Sequence, residues 1–420
     1  MISATFFGVG NDLDSFNAAF TLASFIVSIT AGALQIALVP IYLETKLQDG
    51  KKAAQLLIST IFTYFLALLL IIGALILLIF PSFLPYLYSG FSPAKIVVTT
   101  RLVYLFLPLI VLSGSAIFVT SILNAEGEFK YTALIPGWTA LSSIIALFVW
   151  GKSLGIFALA IGIVIGALIE FSSLMYLLHK FGISLWLHLQ LDKEKLRQVL
   201  SSTWPIIIAF VMSGAMPLID QHFAANLRTG DVAALGFGYR IISLYLTLFA
   251  VAVGTTILPH FSNLAAEKDW DGLRQAFYGS IYKFILPICV LSSVLIIIFS
   301  EPIVRILFQR GAFTAEATKT VAVIQAMYSL QLPAYVIHFV SYRLLSAIKM
   351  TRYAVFIALV GLVTCILLDY FFSQIWGISG IAFSVSITYT ITTIVALFIV
   401  NREITNLQFK NKEATILNKI

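Results

Sequence analysis

Residues 54–79 read AQLLISTIFTYFLALLLIIGALILLI, twenty-six positions without a charged side chain. A helix needs about 20 apolar residues to cross the hydrocarbon core of a bilayer. The run has none of the period-2 alternation that marks the wall of a membrane barrel. It therefore reads as a transmembrane α-helix. Comparable runs recur through the 420-residue chain, which is 60% hydrophobic and 11% charged, with a mean hydropathy of +1.00. An ordinary soluble domain carries about 25% charged residues. A water-soluble globular protein is excluded, and most soluble enzyme classes with it.

Eleven full spans follow, at about 16–42, 54–79, 96–123, 131–150, 154–178, 204–224, 233–258, 278–299, 317–346, 354–374 and 379–400. Before them lies a stub, Met1 to Val9, too short to cross alone and counted as the end of helix 1. The full spans are then helices 2 to 12. Of the 26 Lys and Arg residues, 16 fall in loops after even-numbered helices or in the C-terminal tail. Loops after odd-numbered helices hold 5, and the last 5 (Arg101, Arg240, Lys283, Lys319 and Arg343) lie within spans or at their ends. The positive-inside rule makes the even side cytoplasmic and places both termini there. The net charge of +7 is spread over short loops with no aromatic-interleaved patch, so it reads as topology bias and not as a nucleic-acid surface.

The chain also repeats itself. Ala37-Leu38-Val39-Pro40 returns as Thr256-Ile257-Leu258-Pro259, each closing a long span. Gly90-Phe91-Ser92 returns as Gly311-Ala312-Phe313-Thr314, and Leu123-Asn124-Ala125 as Leu345-Ser346-Ala347. The offset stays near 219–222 residues, which makes two halves of six helices. Six is even, so the halves are parallel repeats, an arrangement that transporters build around a central site. The expected fold is an all-α polytopic membrane protein of two six-helix lobes around a central cavity, its first helix truncated. The expected divisions are an N-terminal lobe at 1–180, a cytoplasmic or interfacial linker at 181–203, a C-terminal lobe at 204–400 and a cytoplasmic tail at 401–420. Helix 7 should correspond to positions near −15 to 5, so most of helix 1 is expected before Met1. In the linker, Trp186, Leu189, Leu191 and Leu196 alternate with Asp192, Lys193, Glu194, Lys195 and Arg197, which suits either an amphipathic interfacial segment or a solvated connection.

An ionisable group within a span costs on the order of 3 kcal/mol or more and usually faces an aqueous cavity or a partner. Arg240, two turns into helix 8 in Leu235-Gly-Phe-Gly-Tyr-Arg240, is the clearest case. It reads as an anion-binding residue or as the ion-pair partner of Asp220 at the end of helix 7. Arg343 on helix 10 is a second candidate, with snorkelling to the interface as the alternative. Glu170 on helix 6 is a third, with a helix contact as the alternative. Asp369 reads as an interface anchor, His338 as a packing residue, and Cys289 and Cys365 as small hydrophobes.

Signals for catalysis are thin. Asp12-Leu-Asp14 and Asp269-Trp-Asp271 match a DxD pattern, but both sit in short loops beside spans. No HExxH, CxxC or GxxxxGK[ST] motif is present, so no metal site, no cofactor and no ATP bound to this chain is expected. The expectation is a transporter and not an enzyme.

Several stretches resemble the MviN/MurJ family, bacterial lipid II flippases within a wider superfamily of polysaccharide and multidrug exporters. They are Phe7-Gly8-Val9-Gly10 with Asp14-Ser15-Phe16 and Gly32-Ala33; Ile122-Leu123-Asn124-Ala125 with Phe129 and Pro136; Asp220 through Phe223-Ala224, Gly230, Tyr239-Arg240 and Leu258-Pro259; and Arg310-Gly311-Ala312-Phe313-Thr314 with Arg343 and Ala347. The resemblance implies a cationic cavity that admits the headgroup of an undecaprenyl-pyrophosphate saccharide, carried outward by alternating access for peptidoglycan and cell-wall biogenesis. It implies substrate-cavity roles for Arg240, Asp220, Arg343, Glu170 and Asp14, with Asp14 at the outer end of helix 2. It further implies a bacterial inner membrane location, with the lipid-linked saccharide, the bilayer and other cell-wall synthesis proteins as partners. The chain also departs from the family pattern. The family's helix 1 arginines would precede Met1, Ile26-Val27 stand where the pattern has an Arg pair, Ala31 replaces a Glu, and the two further helices usual in the family have no counterpart in the sequence after helix 12. Alternative functions are a flippase for another lipid-linked oligosaccharide, a cation-coupled drug exporter, or a non-transporting cell-wall scaffold.

Overall fold

The computed structural model describes residues 2–186, 188, 193–350 and 352–417, with the side chains of 193–203, 205, 251–256, 410 and 412–417 outside the described set. Among these residues there are helices and no strands. After α1 (Ile2–Phe7) come α2 (Asn11–Gln48), α3 (Gly50–Leu87), α4 (Pro93–Leu105 with Leu107–Ala125), α5 (Phe129–Leu154), α6 (Ile156–Lys180) and α7 (Lys193–Ala225). Then follow α8 (Asp231–Ala266), α9 (Trp270–Ile298), α10 (Ala315–Ser329 with Leu332–Ala347), α11 (Arg352–Trp376) and α12 (Ile378–Leu417). Ten helices are long and apolar enough to cross a bilayer, or eleven when the bent pair in α10 counts as one span. The all-α polytopic reading holds. Lipid is the solvent that explains the surface: on α3, Leu70, Ile71, Leu78 and Ile79 are all exposed.

Local chemistry marks the ends and interruptions. Ser92 caps α4 by accepting from the Lys95 N–H, and Thr314 caps α10 by accepting from the Ala317 N–H. Pro108 and Pro333 begin the second segments of α4 and α10, where their missing N–H groups are least costly. Within α2 a π-helical turn, Ser28–Gly32, carries Thr30, whose hydroxyl donates to the Ile26 carbonyl at 2.8 Å. The tail expected at 401–420 is helical to Leu417, because no Gly or Pro interrupts α12 after Gly380.

The chain forms two compact units. The N-unit is Phe6–Gly230 with Ile2, and the C-unit is Asp231–Ile420 with Ser3–Thr5. Within the N-unit, α7 packs against α2. The repeat is visible in a matched pair of close approaches. A Cβ on Gly90 would lie 2.1 Å from the Ala225 carbonyl oxygen in the N-unit. In the C-unit a Cβ on Gly311 would lie 2.4 Å from the Thr5 carbonyl oxygen, and the Ala312 N–H bonds that same oxygen at 3.0 Å. Gly90 and Gly311 thus each seat the end of a first repeat helix, α7 in one unit and α1 in the other.

The linker is partly described. Its extended start lies along α3: the Gln55 amide donates to the Ser184 carbonyl at 3.0 Å, and the His188 N–H donates to Thr63 Oγ1 at 2.9 Å. Ser59, between them on the same face of α3, meets Ser184 and Trp186. Trp186 is exposed. Leu189, Leu191 and Asp192, and the side chains from Lys193 to Arg197, lie outside the described residues.

Gly90→Ala should lower the detergent melting temperature, by a destabilisation of about 1–3 kcal/mol or more. Gly311→Ala should do the same and adds strain, because Gly311 has φ +57°. Gly73→Ala, with nothing within 4 Å of its added Cβ, is the control and should leave the transition unchanged or raise it. Equal melting of all three would remove the seating role.

Candidate functional site

Asp14 lies in the first turn of α2 and has no exposed surface. Its Oδ2 accepts from Lys95 Nζ at 2.5 Å and from the Gly230 N–H at 2.7 Å. Lys95, also buried, sits 4.0 Å from the centre of the Phe91 ring. One carboxylate therefore fastens the start of α2, the start of α4 and the end of the α7–α8 turn, all within the N-unit. Gly230 takes φ +95°, which turns its N–H toward the carboxylate and which a side chain would resist. Lys95 was not singled out from sequence, because a lysine before a span reads as an interfacial charge. The fixed spacing of Ser92 as cap and Lys95 three residues on was the available signal.

Asp220 is half-buried on α7, also in the N-unit. Its neighbour Gln221 donates to Thr21 Oγ1 at 2.7 Å and accepts from the Tyr88 hydroxyl at 3.0 Å, which fixes that part of α7 against α2. Glu170 on α6 accepts from Thr139 Oγ1 on α5 at 2.8 Å. Around it runs a small-residue seam in which Gly162 and Gly166 press on the backbone of Ser143 and Thr139.

In the C-unit, Arg240 is exposed on α8 and its guanidinium stands 5.3 Å from the Phe237 ring centre. Among the described residues its one hydrogen bond is from Nη1 to Ser3 Oγ, at 3.4 Å. A planar cation with most of its donors unspent suits bidentate binding of an oxyanion such as a phosphate. Arg343 on α10 is half-buried, its guanidinium 4.7 Å from the Phe339 ring centre and its Nε buried without a partner. The two arginines lie on packed helices, each against its own phenylalanine. Arg240 and Asp220 belong to different units.

Asp369 corrects a sequence expectation. It is not an interface anchor: it has no exposed surface, accepts from the Ser384 hydroxyl of α12, and lies 3.6 Å from Cys365 Sγ. The neighbouring Tyr370 and Phe371 are exposed, and that aromatic cluster suggested a membrane boundary. A buried intramembrane carboxylate is a functional candidate by its cost alone. His338 packs between Tyr342 and Tyr389, with ring centroids 4.7 and 6.0 Å away.

At the loop ends of α2 and α4, Glu126 accepts from Lys46 Nζ at 2.7 Å and from the Tyr42 hydroxyl at 2.6 Å. Burial pushes the Glu126 carboxyl up, but the Lys46 and Tyr42 hydrogen bonds outweigh it and hold the group below the ordinary carboxylate value.

Two measurements probe these brackets. Asp14→Asn or Lys95→Met alone should destabilise the protein by about 3–5 kcal/mol, because each leaves a buried charge uncompensated, and the double variant should recover part of the loss. Additive losses in a double-mutant cycle would show that the pair is not coupled. The Glu126 contribution should be complete above the ordinary carboxylate value and fade as pH falls through the lowered one. Glu126→Gln should therefore flatten the acid limb of the melting temperature against pH.

A family model described as "Lipid II flippase MurJ" matches residues 3–420. A relative named "Lipid II flippase MurJ" in Thermosipho africanus is 28% identical over 404 residues, covering 95% of this chain and 80% of the relative. "Probable lipid II flippase MurJ" of Bdellovibrio bacteriovorus is 25% identical, covering 88% of this chain and 72% of the relative. The Rhizobium meliloti relative of the same name is 25% identical and is covered over 63% of its length. A solved structure titled "Lipid II flippase MurJ, inward closed conformation" superposes with TM-score 0.81 at 26% identity, over 97% of this chain and 86% of that one. An inward-facing MATE-family multidrug resistance transporter of the MOP superfamily gives TM-score 0.82 at 14% identity, over 97% and 93%, a likeness of fold.

Proposed function

Because the chain belongs to the lipid II flippase MurJ family, we propose that it carries a lipid-linked cell-wall precursor, of the undecaprenyl-pyrophosphate saccharide type, from the cytoplasmic to the outer leaflet. The observation that carries the reading within this chain is Arg240, an intramembrane arginine with an exposed guanidinium and a single weak hydrogen bond. A diphosphate bears charge that lipid cannot solvate, and an arginine within a membrane span supplies the countercharge. Arg343, with an unspent Nε, is the second cation on the same unit. Asp220 on α7 and Glu170 on α6 are the N-unit's acidic candidates, Glu170 held by Thr139, while Asp14 acts through its bracket with Lys95 and Gly230.

The lysine and arginine asymmetry supports a reading in which both termini face the cytoplasm, and the family supports a bacterial inner membrane. The Asp14 bracket then lies at the outer end of the N-unit and the Glu126 clasp at the inner end. Both ties join helices of one unit and so support it as a body that moves as a whole during alternating access. The chemistry is binding and release across the bilayer, with no bond made or broken, and the other cell-wall synthesis proteins are its neighbours in use.

Arg240→Ala should abolish complementation of a flippase-depleted strain at normal protein level, with the lipid-linked precursor accumulating on the cytoplasmic face. Arg240→Lys, which keeps charge and loses the planar fork, should retain a fraction of activity. Full complementation by Arg240→Ala would remove that residue from the site. Changed drug resistance on depletion, without precursor accumulation, would favour a drug exporter.

A further inference from the structure

The two repeats interrupt their fourth helix with the same local sequence and fill the interruption differently. Phe106-Leu107-Pro108 breaks α4, and Gln331-Leu332-Pro333 breaks α10. In α4 the break is dry: Phe106 is fully buried against the Phe16 and Phe20 rings, with centroids 5.6 and 5.7 Å away. In α10 the axis bends by 42°, and the equivalent position holds a fully buried glutamine.

Much of the polar demand at the α10 break is met by neighbouring side chains. Pro333 has no N–H for the Ser329 carbonyl, and Ser293 Oγ of α9 donates to it at 2.7 Å. Ser386 and Thr393 of α12 donate to the Met327 and Ala334 carbonyls, each at 2.7 Å. The backbone across the break is loose, with Leu330 N to Met327 O at 3.4 Å and Gln331 N to Tyr328 O at 3.3 Å. Gln331 Nε2 donates to the Tyr328 carbonyl at 2.9 Å, but its Oε1 is buried without a partner. One and a half turns earlier, Gln325 has no exposed surface and neither its Oε1 nor its Nε2 has a partner. Each such atom, left unmet, loses its hydration with no hydrogen bond in return. Unmet buried acceptors at Gln331, in the break, and at Gln325, in the segment before it, with the Gln325 amide as donor, have the chemistry of buried water positions.

We propose that α10 takes up internal water at its break, on the Gln331 carbonyl oxygen, and in the segment leading to it, on the Gln325 amide, and that α10 flexes there while α4 stays fixed. Bound water exchanges hydrogen bonds with the carbonyls as the bend changes. The aromatic plug of α4 offers no such exchange.

The test is X-ray hydroxyl-radical labelling of the full chain in nanodiscs, with backbone hydrogen exchange on the same sample. Buried Tyr328 should be labelled several-fold faster, after correction for the intrinsic reactivity of each ring, than Phe106 and Phe237, which are also buried. The 330–332 amides should exchange about tenfold faster than those at 105–107. Gln331→Phe, which copies α4, and Gln325→Leu should each bring Tyr328 labelling down to the Phe106 level. Labelling of Tyr328 no faster than Phe106, or unchanged in both variants, would overturn the water site. Equal exchange at the two breaks would overturn the flexing. Gln325→Met keeps the volume and serves where Gln325→Leu lowers the melting temperature. The readouts are physical, so they stand or fall separately from the substrate assigned above.

Discussion

A carboxylate with no access to solvent must be neutralised by the protein around it, and Asp14 imposes that demand on the whole N-unit. Its partners, Lys95 and the Gly230 amide, come from the start of α4 and the turn after α7. Helices in lipid gain no hydrophobic drive toward one another, because the tails around them are as apolar as their own side chains. Polar ties and close backbone contacts therefore carry specificity. The N-unit uses the Asp14 bracket at one end, the Glu126 clasp at the other, and the glycine seam of α5 and α6 between them.

The C-unit repeats the scaffold with different fittings. The glycine seat, the side-chain cap and the proline break all recur, at Gly311, Thr314 and Pro333. The intramembrane charge differs. The C-unit holds an exposed arginine, a half-buried arginine and a fully buried aspartate, where the N-unit has its tightly bracketed acid. The shared features are those that backbone geometry requires, and the differing ones can vary without disturbing the helices.

Much of this architecture is written in the sequence in terms that physics can read. Long charge-free runs specify spans, and matched glycine, cap and proline positions specify the repeat. Arg240 stands out because a cation within a span has few explanations. Lys95 and Asp369 were harder to see. Each sits beside aromatic or loop residues that suggest a membrane boundary, while its partner is distant in sequence: Lys95 meets Asp14 across 81 positions. The exchange of first helices between units is also invisible to a reading by periodicity, since an apolar stripe does not name the bundle that receives it. The linker posed the same problem, because Gln55, Ser59 and Thr63 look like ordinary polar dilution of α3 until Ser184 and His188 lie against them.

That exchange bears on how such a protein is built from two similar halves. The residues up to Gly230, α7 among them, group with the unit that precedes them, and Ser3–Thr5 group with Asp231–Ile420. A chain cut before α7 would leave Gly90 without the Ala225 backbone that it packs against. The linker at 181–203 is thus a poor place to divide the molecule, for split reporters or for separate expression of halves.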